Sequence, residues 1–303
     1  MGKYRLLVTF ILVTLSIFML YSNAFATTKS TDTFLLEKFQ TLPGVEVTEF
    51  TEVHGGRIYT PEILFDAQQG SLMIKWYDFQ EQSTGNMYID DAAYAFPVIA
   101  IRDNMIIYLN YQKHELRVTN MDGTLKHSIV LDSKYSQDSF PGAVMSMDLT
   151  DNGDIIINNV FNGEGDNIQI YSLDGNLVGG FSKFLGLTAC DNIFYKNDKV
   201  YCFEHESVEI YDLSGKRIKL IKFAEDDHNQ NFQYAKFGNY FATVSDKYLS
   251  LYTDDFSLYK RIGFKELFPE LGDGITKFVG DGEHLYIFGK DTNTAYRLKK
   301  LEL

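Results

Sequence analysis

The chain has 303 residues, and its 41 acidic and 28 basic side chains give it a formal net charge of −13 at neutral pH. Such a charge repels phosphate groups, which argues against nucleic acid or an anionic membrane surface as a partner. Apolar residues make up 45% of the chain, enough for a full core. No long helical period runs through them, so a helix-rich fold is not expected.

The first 26 residues have the pattern of a signal peptide. Lys3 and Arg5 precede an uncharged apolar run over 6–20, shorter than the roughly 20 residues of a membrane span. Ala24 and Ala26 then supply the small residues that signal peptidase accepts. We predict a signal peptide over 1–26, with an uncleaved anchor as the alternative. Removing it leaves 26 basic and 41 acidic residues, a net charge of −15 over 27–303.

Six tight turns recur along the rest of the chain, each between two short runs of β-forming residues. With 70, 103, 152, 197, 238 and 282 as markers, the intervals are 33, 49, 45, 41 and 44 residues. Their mean of about 42 is the length of a four-stranded propeller blade. We therefore predict a single all-β domain over 27–303. Its fold is a six-bladed β-propeller of four-stranded antiparallel blades, with seven blades as the alternative.

The strands can be placed most clearly from residue 97 onward. The first blade shows strands over 57–65 and 71–77, but 78–96 does not divide cleanly. Alternating or clustered apolar residues then predict the strands of the next three blades. These are 97–102, 105–110, 115–120 and 124–131, then 143–149, 154–160, 168–171 and 176–181, then 192–196, 199–203, 208–211 and 216–223. A second turn series over 120–123, 172–175 and 212–215 joins third strands to fourth strands, and 253–256 is a weaker version.

The last blade is one strand short. It shows strands over 275–279, 285–288 and 294–301, after a single helical turn over 264–268 that Pro269 ends. A ring of blades must close, and an N-terminal strand commonly completes the last blade. We predict that 45–50, with Val45 and Val47 alternating, supplies this strand.

Two cysteines give opposing indications. Export would place Cys190 and Cys202 in an oxidising compartment, which favours a disulfide. However, a hairpin at Asn197-Asp198 places Cys202 opposite Ile193, with Cys190 three residues out of alignment. That offset is roughly 10 Å along a strand, too far for a disulfide without distortion. Free thiols are favoured, and a bridge is the alternative.

One blade resembles a known repeat. Residues 147–157 read Met-Asp-Leu-Thr-Asp-Asn-Gly-Asp-Ile-Ile-Ile, and 166–175 read Asp-Asn-Ile-Gln-Ile-Tyr-Ser-Leu-Asp-Gly. This resembles the repeat of NHL-like and TolB-like propellers. The resemblance implies a six-bladed propeller. Propellers of this kind include sugar-lactone hydrolases with a central metal, peptide-amidating lyases with zinc and copper, and binding modules. The second, fourth and fifth blades lack the full Asp-Gly first turn.

The functional face is predicted from the strand order. Connections between second and third strands, and links between blades, should lie on one face around the channel, where function is expected. Four histidines, His54, His114, His205 and His228, are placed there. The ligand-binding candidates on this face are Tyr111, His114, Tyr135, Phe140, His205 and His228. Hard cations take oxygen ligands, and the calcium candidates are Asp138, Asp191, Asn229, Asn231 and Asp273.

The sequence contains no Gly-x-Ser-x-Gly, no phosphate-binding glycine loop and no Cys-x-x-Cys. We therefore expect an exported binding or interaction module, secreted, periplasmic or on the cell surface, without a membrane span after cleavage. Its partner would be a protein, a peptide or a carbohydrate. No cofactor is required, although calcium is compatible with the candidates above. The alternatives are a calcium- or zinc-dependent hydrolase or lyase of the lactonase kind, and a purely structural domain of a surface assembly.

Overall fold

The fold is taken from a computed structural model. It describes residues 27–31, 34–39, 44–65, 70–89, 98–102, 104–110, 113–131, 143–160, 166–181, 190–204, 206–223, 233–245, 247–269, 271, 275–290 and 295–300. The predicted signal peptide lies outside these ranges. Within them, no helix has the length and apolar character needed to cross a membrane.

Most of the described chain is β-strand. Two N-terminal strands come first, β1 (Thr27–Thr31) and β2 (Phe34–Phe39). Blade 1 follows with β3 (Glu52–His54), β4 (Arg57–Phe65), β5 (Gly70–Asp78) and β6 (Ser83–Ile89). Blade 2 contains β7 (Ile99–Arg102), β8 (Met105–Asn110), β9 (Glu115–Asn120) and β10 (Leu125–Val130).

The remaining blades repeat this order. Blade 3 contains β11 (Ala143–Leu149), β12 (Ile155–Val160), β13 (Ile168–Tyr171) and β14 (Leu177–Phe181). Blade 4 contains β15 (Asn192–Lys196), β16 (Lys199–Glu204), β17 (Ser207–Asp212) and β18 (Arg217–Lys222). Blade 5 contains β19 (Tyr234–Phe237), β20 (Tyr240–Val244), β21 (Tyr248–Tyr252) and β22 (Leu258–Gly263), followed by α1 (Phe264–Leu267). Blade 6 contains β23 (Ile275–Gly280), β24 (His284–Gly289) and β25 (Ala295–Lys300).

Six antiparallel sheets form a ring, which confirms the six-bladed propeller. Six hydrophobic clusters lie between neighbouring blades, one in each wedge. In β8, Ile106 and Tyr108 pack toward blade 1, whereas Ile107 and Leu109 pack toward blade 3. Because side chains alternate along a strand, a strand between two neighbouring blades buries both faces. This explains the continuous apolar runs, and the seven-blade alternative is wrong.

The first turn marker was misplaced by one hairpin. Residue 70 begins β5, so this marker falls between the second and third strands of blade 1. The turn between the first two strands is Gly55-Gly56, because His54 pairs with Arg57. From residue 56 to the next marker at 103 there are 47 residues, in line with the other four intervals. The short first interval of 33 residues therefore came from comparing two different hairpins.

The second turn series is confirmed. Gly123, Gly175 and Gly215 have φ values of +86°, +89° and +81°, each followed by a bulge in the next pairing. Blade 5 places Phe256 at the same position with φ +62°. A non-glycine residue in this region costs about 1 kcal/mol or more. The ring of Phe256 is buried and stacks on Phe241 and Tyr252 at centroid distances of 5.2 and 5.4 Å, which offsets the strain.

An N-terminal strand closes the ring, but it is a different one from that predicted. Strand β2 pairs with β25 as the fourth strand of blade 6, and β1 adds a fifth strand outside it. Residues 45–50 form no strand. Thr48 accepts a backbone hydrogen bond from Thr51 at 3.1 Å, so the segment turns into β3. Val45 and Val47 instead pack in the wedge between blades 6 and 1.

The disulfide is present, so the prediction of free thiols is wrong. Cys202 lies opposite Ile193 as expected. Cys190, however, precedes β15, and the ladder ends at Asn192. The chain therefore does not continue along the strand: the Cys190 and Cys202 Cα atoms are 5.2 Å apart. Asn158 of blade 3 donates a hydrogen bond to the Cys190 carbonyl and holds the chain in this position.

Candidate functional site

The first strands of all six blades line a central channel. It contains a cavity of about 450 Å³ bounded by β3, β7, β11, β15, β19 and β23. The cavity reaches the turns after these strands, at Asp151, Asn197, Gly238 and Gly282. We call the side formed by turns joining first to second and third to fourth strands the hairpin face, and the opposite side the loop face. The channel therefore reaches the hairpin face.

Blades 5 and 6 approach each other closely at this end. The backbone nitrogen of Gly238 donates to the Gly282 carbonyl at 2.6 Å. A Cβ atom on Gly280 would lie 1.8 Å from the carbonyl oxygen of Lys236. Only glycine permits this backbone approach.

A lysine crosses the channel between blades that are not neighbours. Lys236 of blade 5 reaches Asp148 of blade 3, with its Nζ 2.6 Å from Oδ2. On the way it passes 5.6 Å from the centre of the Phe194 ring of blade 4. Asp148 also accepts the backbone N–H of Tyr195 at 2.7 Å. This carboxylate therefore joins three consecutive blades at the channel wall.

A second ion pair lies on the other side of the channel. The Nζ of Lys277 in blade 6 donates to the Glu49 carbonyl at 2.7 Å and lies 3.5 Å from the Glu52 carboxylate of blade 1. Burial raises the pKa of Glu52, although Lys277 acts to lower it. The Glu52 side chain is 35% exposed to the channel. Lys277 therefore links blade 6 to β3 and to the segment that leads into it.

Two further cations tie neighbouring blades at the hairpin face. Arg102 of blade 2 donates to the Leu149 and Thr150 carbonyls of blade 3 at 3.1 and 2.8 Å. Lys196 of blade 4 forms an ion pair with Asp254 of blade 5 at 2.7 Å. The described cations of the channel wall therefore contact acceptors on other blades, and the cavity has a preformed polar lining.

Asp281 is the most deeply buried carboxylate at the channel mouth, with its side chain 6% exposed. It accepts the backbone N–H of His284 at 2.8 Å and the Tyr286 hydroxyl at 3.1 Å. Burial acts to raise its pKa, but the His284 and Glu283 hydrogen bonds outweigh that effect and lower it. The carboxylate therefore stays ionised at neutral pH.

The hairpin face is strongly acidic. Its described turn residues include ten acidic side chains and a single basic one, Lys216. The acidic residues are Glu81, Asp122, Asp151, Asp154, Asp174, Asp198, Asp254, Asp255, Asp281 and Glu283. Several accept hydrogen bonds within their own turns, such as that from the Thr124 N–H to Asp122 at 2.9 Å. That bond lowers the pKa of Asp122, as hydrogen bonds from Thr253 and Ser257 do for Asp255. These hydrogen bonds support the turns, and the charges of all ten residues add up across the hairpin face.

Few of the residues predicted for the site can be placed. His114 lies in the turn between β8 and β9, and Asp191 immediately precedes β15, so both are on the loop face as predicted. The other candidates lie outside the described residues: Tyr111, Tyr135, Phe140, His205, His228, Asp138, Asn229, Asn231 and Asp273. In the described ranges, no three His, Cys, Asp or Glu side chains are grouped so that they could hold a metal ion.

His54 was assigned to the wrong face. It ends β3 and lines the cavity next to the Gly55-Gly56 turn, on the hairpin face. The error has the same origin as the misplaced first turn marker. The sequence analysis also missed Lys236, Asp148, Lys277 and Glu52. For Asp148 and Lys277 the signal was a charged residue within a predicted strand, over 143–149 and 275–279. Glu52 and Lys236 lay in no predicted strand.

Comparisons with known proteins establish the fold and leave the family open. No protein-family model matches the chain, and no curated protein matches it. A member of the DUF4221 family from Bacteroides vulgatus aligns over 92% of this chain and 99% of its own, at 11% identity and a TM-score of 0.51. A protein from Bacteroides fragilis named as a candidate for export aligns over 91% and 95%, at 9% identity and a TM-score of 0.52. The WD40 repeats of RRP9 align over 92% and 98%, at 13% identity and a TM-score of 0.54.

At these identities the likeness concerns the fold alone, a six-bladed ring. The finer NHL-like or TolB-like assignment stays a prediction. Its motif residues have structural roles: the Asp154 N–H donates to the Thr150 hydroxyl at 3.0 Å, and the Asn167 amide donates to the Asn159 carbonyl at 3.0 Å.

Proposed function

We propose that the chain is an exported β-propeller that acts as an interaction module, and that its partner binds the hairpin face with cationic groups. The observation that carries this proposal is the excess of ten acidic over one basic residue in the described turns of the hairpin face, where the channel opens. Charges of one sign around a concave site attract an oppositely charged partner and speed its association. A protein or peptide rich in Lys or Arg fits this chemistry best.

The polar lining of the channel supports binding by a preformed site. Asp148 and Glu52 are each held by a lysine from another blade. A partner that reaches the mouth therefore meets side chains that are already ordered, which reduces the entropy cost of binding. The likeness to WD40 repeats is one of fold, and an interaction role is compatible with it.

Two peptides of matched length, one rich in lysine and one rich in glutamate, test this proposal. We expect the lysine peptide to bind in biolayer interferometry and the glutamate peptide not to bind at the hairpin face. A variant with Asp122→Asn, Asp174→Asn and Glu283→Gln should weaken lysine-peptide binding at least fivefold, with more loss at low salt than at high salt. These three side chains are exposed and lie outside the cavity lining, so folding should be unchanged. Equal affinity for the variant would contradict the proposal.

Export is part of the proposal and has its own test. Sequencing the N-terminus of the secreted or periplasmic protein should give Thr27 as the first residue. A mature protein that retains residues 1–26 would support the uncleaved anchor instead.

The metal-dependent enzyme stays a prediction based on sequence. Calcium or zinc should raise the midpoint of thermal unfolding if the ring holds a specific site, because a ligand that binds only the folded state stabilises it. Chelation should then lower the midpoint. No shift with either metal would contradict that alternative.

A further inference from the structure

The outermost strand of blade 4 combines positive charge with exposed apolar side chains. The strand, β18, contains three cations, Arg217, Lys219 and Lys222, in a protein whose net charge is −13. Between them, Ile218 and Leu220 are 51% and 46% exposed. A partner that covers these two aliphatic side chains removes apolar surface from water, which favours binding. This strand therefore offers both attraction and apolar contact.

The fold does not require this charge. The outermost strands β6 and β14, which occupy the same place in blades 1 and 3, contain no charged residue. Strand β10 contains a single lysine, and β22 contains Lys260 and Arg261. Lysine on an edge strand commonly prevents aggregation, but blades 1 and 3 do without it. The three cations of β18 therefore call for a reason beyond edge protection.

The edge of β18 can accept another strand. Among the described residues, β18 pairs with β17 alone. The backbone N–H of Phe223 donates to the Glu206 carbonyl at 2.8 Å. Because hydrogen-bonded and non-bonded pairs alternate in an antiparallel ladder, the N–H groups of Leu220 and Lys222 point away from β17. These two N–H groups can therefore donate hydrogen bonds to an added strand.

The cations lie on both faces of the blade. Arg217 forms an ion pair with Glu209 at 2.8 Å, on the face toward blade 3. Lys219 donates to the Asp255 carbonyl at 2.8 Å, on the face toward blade 5. A flat membrane surface can contact cations on one side only. An added strand presents alternate side chains to both faces, so an extended peptide matches this arrangement better.

We propose that the edge of β18 binds an extended segment of a partner protein, that this segment adds as a fifth strand of blade 4, and that its side chains are acidic. Main-chain hydrogen bonds supply affinity, and the cations of β18 select acidic side chains. The acidic hairpin face does not prevent this, because exposed charges are screened beyond about 8 Å at physiological salt. The site is separate from the hairpin face and does not depend on the function proposed for it.

A labelled nine-residue peptide of alternating Glu and Val is the probe, and the same peptide with Lys in place of Glu is its control. Fluorescence anisotropy should show binding of the Glu peptide only. Leu220→Pro removes an outward N–H and obstructs the edge, yet edge strands tolerate proline at such positions. We expect at least tenfold weaker binding by this variant.

Blade 2 offers a matched control variant. The Leu131 N–H donates to the His114 carbonyl at 2.9 Å, as Phe223 does to Glu206, so Ser128 of β10 corresponds to Leu220. Ser128→Pro should leave binding of the Glu peptide unchanged. Lys219→Gln with Lys222→Gln should weaken it severalfold and reduce its salt dependence. This double variant also provides a result if Leu220→Pro does not fold.

Several outcomes would overturn the proposal. One is equal loss with Leu220→Pro and Ser128→Pro, and another is equal binding of the Lys peptide. Binding to phosphatidylglycerol vesicles without binding to the Glu peptide would indicate a membrane surface instead. Dimerisation that Leu220→Pro abolishes, again without peptide binding, would indicate a second copy of this chain as the occupant. The hairpin-face variant Asp122→Asn, Asp174→Asn and Glu283→Gln should bind the Glu peptide normally, which separates the two proposals.

Discussion

Lys236 on an innermost strand and Lys222 on an outermost strand show two uses of charge in one ring. Lys236 crosses the channel to Asp148 and joins blades that are not neighbours. Lys222 lies on the outer edge of β18, which pairs with β17 alone among the strands that the structure describes. Inner charges therefore contribute to closing the ring, whereas outer charges are suited to contact other molecules.

The largest effect is expected from the disulfide beside the inner strand of blade 4. Cys190 and Cys202 close a loop with a sequence separation of 12 residues. By the chain-entropy model, losing this cross-link costs about 3 kcal/mol. Urea unfolding of the variant Cys190→Ala with Cys202→Ala should show that loss. A thiol assay on the unreduced wild-type protein should find no free thiol, and two free thiols would contradict the structure.

A smaller effect is expected from the lysine that crosses the channel. Asp148→Ala leaves the Lys236 ammonium and the Tyr195 N–H without their acceptor, and we expect a cost of about 2 kcal/mol. Chemical denaturation would measure it. If the variant were as stable as the wild type, the ion pair would have no part in closing the ring.

The pH dependence of stability should distinguish Glu52 from the other carboxylates. Its folded pKa is raised by burial, so the folded state binds its proton more tightly than the unfolded state does. The ionised carboxylate then destabilises the protein above the folded pKa, and this cost disappears below the unfolded value of 4.5. Glu52→Gln should therefore be more stable at pH 7 by less than about 1 kcal/mol, since channel water screens the charge. Lys277 keeps its bond to the Glu49 carbonyl in this variant. Thermal unfolding from pH 7 to 4 should show the advantage shrink, and a constant difference would contradict this account.

The smallest effect is expected at the outermost strand of blade 4, β18. Lys222→Gln should change the free energy of unfolding by less than about 0.5 kcal/mol, as exposed substitutions usually do. Urea unfolding beside Asp148→Ala gives the direct comparison. A loss of stability as large as that of Asp148→Ala would mean that the cations of β18 also hold the blades together.

Much of the fold could be predicted because each turn is a local event. Asn197 and Asp198 both have positive φ, as a two-residue hairpin requires, and the strands on either side pair as expected. The closing strand was missed because the pairing of β2 with β25 joins residues 34–39 to 295–300, and no local pattern reports such a contact. The disulfide was missed because β15 begins later than a continuous strand would.

The candidate site was less accessible to sequence analysis. The approach of Lys236 to Asp148 spans 88 residues and needs the curvature of three blades. The acidic residues could be read one turn at a time, but their common face appeared only when each turn was assigned to its place in a blade. His54 was assigned to the wrong face because a single turn, that of the first marker, was assigned to the wrong place in its blade.

Hydrogen–deuterium exchange with the lysine-rich peptide tests the central claim, that the hairpin face holds a cationic partner. At a saturating peptide concentration, amide exchange should slow in the turns over 121–124, 172–176 and 281–283. Exchange in β18 and around His114 and Asp191 should be unchanged. Slower exchange in β18 or on the loop face, with no change in these turns, would contradict the account.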